Sequence, residues 1–98
     1  MFSLLYDFIY DELLYNNNYI YEILDFFDKN SYTFTDEELI RYLPDYVYYE
    51  HKNNFNQRNI IIYCSQNIYT LKNMSKLFHD VIIKYRNYDI VKRFSIIS

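Results

Sequence analysis

Cys64, His51 and His79 are the residues of this chain best suited to nucleophilic or metal chemistry, and their spacing supports neither. No two of them stand in an H-x₃-H, C-x-x-C or comparable pattern, so three or four ligands for a metal ion cannot be assembled from them. Cys64 closes the apolar run Ile60-Ile61-Ile62-Tyr63-Cys64. A thiol there is expected to be buried and inert, and a Cys64/His79 pair is correspondingly disfavoured as a nucleophile and base. The chain contains no glycine, which removes the phosphate-cradling loops of nucleotide-binding folds. Carboxylates are plentiful, but they fall on predicted solvent-facing helix surfaces rather than in a cleft that could separate their pKa values. The expectation is therefore a non-enzymatic protein without metal or cofactor.

Charge is the feature with more to say. Residues 1–50 hold eleven acids against Lys29 and Arg41, for a net −9, whereas residues 51–98 hold eight bases against Asp80 and Asp89, for a net +6. If the two halves form different faces, the first is acidic and the second basic. The acidic face would carry Asp7, Asp11, Glu22, Asp25 and Asp28, with Tyr10 and Tyr21 among them. Tyrosine supplies contact area with few torsions to immobilise, and spaced carboxylates steer a basic partner toward it. The basic face would carry Lys52, Arg58, Lys72 and Lys76, with Phe55 as a stacking residue. That set suits phosphate contacts. A third reading has the two halves attracting each other inside one molecule, where exposed ion pairs contribute little to stability.

These residues must be positioned by elements legible in the pattern. Phe2, Leu5, Ile9 and Leu13 have helical spacing, as do Ile20, Ile23, Leu24 and Phe27, with Asn16-Asn17-Asn18 breaking the chain between them. Thr35-Asp36-Glu37-Glu38 forms a capping box, flanked by Phe34 and Leu39 for a hydrophobic staple. The helix that follows must be short because Pro44 disfavours helical geometry at Leu43. After Pro44, residues 46–51 and 59–64 are rich in aromatic and β-branched types and are predicted to form a β-hairpin, with Asn53, Asn54 and Asn56 in its loop. Leu71, Met74, Phe78, Val81, Ile82 and Tyr85 mark a long helix over about 70–86. Residues 87–98 fit a helix or a strand equally well.

The predicted architecture is a single α+β domain, 1–98, mainly helical: three N-terminal helices, a hairpin, then the long helix. At 51% hydrophobic and 23% charged residues the composition is globular rather than disordered. The absence of a basic leader, of a long apolar run and of a second cysteine predicts a non-membrane protein of the cytoplasm, without a disulfide. Tyr, Ile, Asn and Phe are all encoded by AT-rich codons, and their abundance points to an AT-rich genome such as that of a virus or phage, with an AT-rich bacterium or protist as the alternative. Three functions follow as expectations. The first is an interaction protein that binds and inhibits a host protein, such as a nucleic-acid enzyme, through the acidic face. The second is a nucleic-acid-binding regulator using the basic half, which resembles a winged-helix domain in element order alone. The third is a structural homo-oligomer paired through the hairpin edge, so that either a monomer or a homodimer is consistent with the sequence.

Overall fold

The computed structural model describes residues 2–53 and 56–85, and every described element is a helix: α1 (Phe2–Tyr15), α2 (Tyr19–Lys29), α3 (Asp36–Tyr42), α4 (Tyr46–Asn53), α5 (Gln57–Gln66) and α6 (Leu71–Tyr85). No strand occurs among the described residues, so the α+β class and the predicted hairpin are both wrong. Its two segments are α4 and α5. With it go the wing of the winged-helix reading and the strand edge proposed for self-association. The segment 87–98 lies outside the described residues.

The reason for the error is visible in the burial of α5. A strand would place Ile60, Ile62 and Cys64 on one face and Ile61 with Tyr63 on the other. Instead Ile60, Ile61 and Cys64 are buried, Ile62 is half-buried and Tyr63 is exposed. Offsets of one and four residues belong to a helix. Asn56, expected in a hairpin loop, is the helix N-cap: its side chain accepts from the Asn59 amide at 2.8 Å. In α4 likewise Tyr46 is buried while Val47 and Tyr48 are exposed, and tertiary packing has overridden strand propensity.

The first three helices end and begin by local chemistry. At the C-terminus of α2 the Tyr32 amide donates to the Phe27 carbonyl at 2.9 Å and the Ser31 amide to the Asp28 carbonyl at 3.0 Å. These are the paired bonds of a Schellman motif, and its hydrophobic contact is present too, between the Tyr32 and Phe27 rings at 5.8 Å. The motif needs a left-handed residue, and in a chain without glycine that position falls to Ser31, at φ 57°. At the start of α3 the capping box is complete: Thr35 Oγ1 accepts from the Glu38 amide at 3.1 Å and Glu38 Oε1 accepts from the Thr35 amide at 2.8 Å. The Tyr32 hydroxyl also donates to the Glu38 carboxylate. Partial burial pushes the Glu38 carboxyl up, yet the bonds from Thr35 and Tyr32 outweigh it and hold the group below its ordinary value.

The core forms around α6, which packs against α1, α5 and α3. Met74, Leu77, Phe78, Val81 and Ile82 from α6 meet Ile9, Ile23, Phe27, Leu39 and Ile60, all essentially inaccessible to solvent. α1 and α6 run side by side in opposite directions: the Tyr6 ring stands edge-on to His79 at 6.4 Å, while Leu13 and Leu71 line the same cleft at the other end. That antiparallel pairing determines which charges become neighbours.

Candidate functional site

The exposed face of α2 carries Tyr21, Glu22, Asp25 and Asp28 together, at spacings of three and four residues. Four of the residues expected on the acidic face therefore share one surface. Arg58, expected to contact nucleic acid, reaches this face from α5. Its guanidinium bridges the Asp25 and Asp28 carboxylates at 3.0 Å each. The three side chains are 41%, 62% and 67% exposed, so solvent screens the bridge and its stabilising value is roughly 0–1 kcal/mol per pair. Its effect is positional: it brings the two carboxylates together on the face that also carries Tyr21. With Lys29 also on this surface, three carboxylates against two cations leave a small negative excess. Glu22 and Asp25 border a shallow depression of about 350 Å³ together with Phe26, Lys29 and Asn30.

Asp7 and Tyr10 are elsewhere. They line an open groove between α1 and α6 with Tyr6, Lys72 and Lys76, enclosing about 560 Å³. The Tyr6 and Tyr10 rings are stacked at 6.3 Å with 22° between their planes. Burial first, then the proximity of Tyr10 and Asp7, pushes the Tyr6 phenol above its ordinary value. Two residues predicted for the acidic surface and two predicted for the basic surface thus share one groove. The arrangement offers two cations and a stacked phenol wall to an anionic ligand, with Asp7 opposing. Asp11 is exposed on α1, and Lys52 is engaged within α4, where its Nζ donates to the Tyr48 hydroxyl at 2.6 Å and lies 5.1 Å from that ring's centre. Phe55 lies outside the described residues.

Sequence reasoning missed a third site. At the end of the bundle where the α1–α2 turn approaches the α5–α6 loop, a cleft of about 390 Å³ has apolar walls from Leu13, Leu14, Ile20, Ile68 and Leu71. Its polar lining consists of Asn16, Asn17, Ser65 and Gln66. Ile68, on the lining, is 57% exposed, and the adjoining Tyr69 is 90% exposed. No charge or motif marks this cleft in the sequence. The Asn16–Asn18 run that contributes to it reads in the sequence simply as a helix break.

The groups with covalent chemistry are occupied structurally. Cys64 is fully buried in α5, burial pushes its thiol above the ordinary value, and the Thr70 hydroxyl donates to its backbone carbonyl at 2.8 Å. His79 Nδ1 lies 3.1 Å from Asp80, whose carboxylate also accepts from the Tyr42 hydroxyl. Among the described residues no group of three His, Cys, Asp or Glu side chains could hold a metal ion, and no helix is long and apolar enough to cross a membrane. Comparison with protein-family models, curated proteins and solved structures finds no match for this chain.

Proposed function

We propose that this chain is a small non-enzymatic interaction protein, encoded by a virus or phage, that binds and inhibits a host protein in the host cytoplasm through the exposed face of α2. The supporting observation is the shared surface of Tyr21, Glu22, Asp25 and Asp28, with Arg58 holding the two aspartates. Tyrosine is 44% exposed at position 21 and serves as the contact anchor. The carboxylates around it orient a partner of opposite charge and accelerate encounter. A basic groove on a nucleic-acid enzyme is the kind of partner surface that matches.

The test uses Tyr21→Ala and Glu22→Lys, two exposed changes that leave the Arg58 bridge intact. Once a host partner has been purified, Tyr21→Ala is expected to weaken binding by about 2 kcal/mol, mostly through faster dissociation. Glu22→Lys is expected to slow association by about tenfold at low salt and less at high salt. Wild-type kinetics in both folded variants would end the reading.

A second reading, binding of nucleic acid, is favoured by the groove in which Lys72 and Lys76 face the stacked Tyr6 and Tyr10. It no longer involves a wing. Binding of a labelled single-stranded oligonucleotide should then fall steeply with salt and be lost in Lys72→Glu/Lys76→Glu. No binding at low ionic strength would remove it.

A further inference from the structure

We infer that the open groove between α1 and α6 binds a nucleoside monophosphate, its base against the Tyr6 and Tyr10 rings and its phosphate on Lys72 and Lys76. The inference rests on the second reading above, that this groove takes a nucleic-acid component, and narrows the ligand from a strand to a single nucleotide. It is independent of the α2 face. Two residue pairs, each four apart in sequence, make the site: Tyr6 with Tyr10 on α1 and Lys72 with Lys76 on α6. Residues at that spacing share a helix face and stand about 6 Å apart along the axis. With Tyr6 against His79 and Leu13 at the Leu71 end, the antiparallel register puts Tyr10 level with the lysine pair.

Both lysines are exposed and, among the described residues, neither forms an ion pair, although Asp7 borders the same groove. Arg58 by contrast is bridged by two carboxylates, and Lys52 lies on the Tyr48 ring. The groove therefore presents cationic charge that the fold leaves unanswered, and a phosphate can accept from both ammonium groups. Beside it the half-buried Tyr6 and Tyr10 rings stand 6.3 Å apart at 22°, an offset arrangement that leaves ring surface uncovered for a further aromatic plane. Inorganic phosphate would not use that surface, and an uncharged ring would not answer the lysines. A nucleotide joins the two chemistries. Asp7 limits the charge: its carboxylate repels additional phosphates, yet it can accept from the hydroxyl or amino groups that a nucleoside carries. A strand running along the groove would bring successive phosphates past Asp7. The volume, about 560 Å³, falls within the range of small-molecule sites.

Adenosine monophosphate is the probe. Titrated at low salt into the isotopically labelled full chain, it should shift the ring resonances of Tyr6 and Tyr10 and the side-chain signals of Lys72 and Lys76 saturably. Adenosine, which lacks the anion, and inorganic phosphate, which lacks the ring, should each bind at least about tenfold more weakly. Adenosine triphosphate should bind no tighter than the monophosphate in the wild-type chain, and at least about threefold tighter than it in Asp7→Asn. Tyr10→Leu should weaken the monophosphate about tenfold, and Lys72→Gln/Lys76→Gln at least as much. A hydroxyl-ended single-stranded oligonucleotide separates this inference from the reading beneath it. Monophosphate binding with a weaker or absent strand upholds the mononucleotide site, and an absent strand also ends the strand reading. A strand that binds as tightly as the monophosphate, or more so, overturns the inference and leaves the strand reading standing. No saturable shift with the monophosphate, equal affinity for adenosine or phosphate, or unchanged monophosphate binding in either groove variant would each overturn it as well. The ligand comparisons use the wild-type chain, so a misfolded substitution does not shield the proposal.

Discussion

Truncation of Phe27 to alanine is expected to lower unfolding stability by about 3–5 kcal/mol, enough to leave a large unfolded population in a domain whose total is about 5–15 kcal/mol. Phe27 is 1% exposed and joins three parts of the chain. Its ring stands edge-on to Phe34 at 5.1 Å, lies 5.8 Å from Tyr32 and lies 6.1 Å from Phe78. Those partners come from the segment before α3, the Schellman turn and α6. Alanine would therefore leave a cavity bordered by elements that cannot close it independently, and the edge-to-face contact with Phe34, worth about 0.5–1.5 kcal/mol, would be lost with it. Urea unfolding followed by circular dichroism measures the change directly. Phe27→Leu, which keeps most of the volume, should lose less than half as much. A loss below about 1 kcal/mol for the alanine variant would show that the core is not centred on this ring.

The position of Phe27 in the core was readable from Ile20, Ile23, Leu24 and Phe27, whose spacing admits only a helix with one buried side. The start of α3 was readable for a different reason, since the Thr35 and Glu38 pair is local chemistry that does not depend on the rest of the fold. α5 was not readable in this way. Five successive apolar residues satisfy a buried strand and a buried helix alike, and Asn56 serves a turn as readily as a cap. What decided the matter is the space between α1, α2, α4 and α6, the helices that pack on α5, where Ile60, Ile61 and Cys64 are all buried. That space is a property of the assembled chain.

The charge asymmetry misled in a related way. A count along the sequence separates acids from bases by position, but the bundle folds α6 back onto α1. Lys72 and Lys76 accordingly share a groove with Asp7, and Arg58 closes on Asp25 and Asp28 across α5 and α2. Internal complementarity is thus part of the explanation of the asymmetry, and the proposed contact surface narrows to Tyr21 and Glu22, beside the Asp25 and Asp28 carboxylates that Arg58 bridges. The neutral cleft shows the complementary limit. Its lining comes from α1, the following turn, α2, α5, the α5–α6 loop and α6. No stretch of sequence contains enough of it to be recognised.

Ile62→Pro discriminates between the two readings of the 59–64 segment and should have the second largest effect. Ile62 lies in the interior of α5, beyond the first turn that begins at Gln57. Proline there deletes the amide that bonds the carbonyl four residues earlier, at Arg58, and its ring collides with that carbonyl, a combined cost of about 3 kcal/mol or more. The damage extends past α5. The helix holds Ile60, Ile61 and Cys64 in the core and aims Arg58 at the α2 carboxylates, so a kink should both destabilise the domain and release Asp25 and Asp28. Ile62→Ala is the control for the side chain alone; because Ile62 is only half-buried, that variant should lose distinctly less. On an edge strand with its amide facing solvent, proline at this position would be nearly as mild as alanine. Thermal unfolding of both variants, with far-ultraviolet circular dichroism for helix content, separates the cases: a loss of helix signal and stability confined to the proline variant follows from α5, and equal behaviour of the two would contradict it.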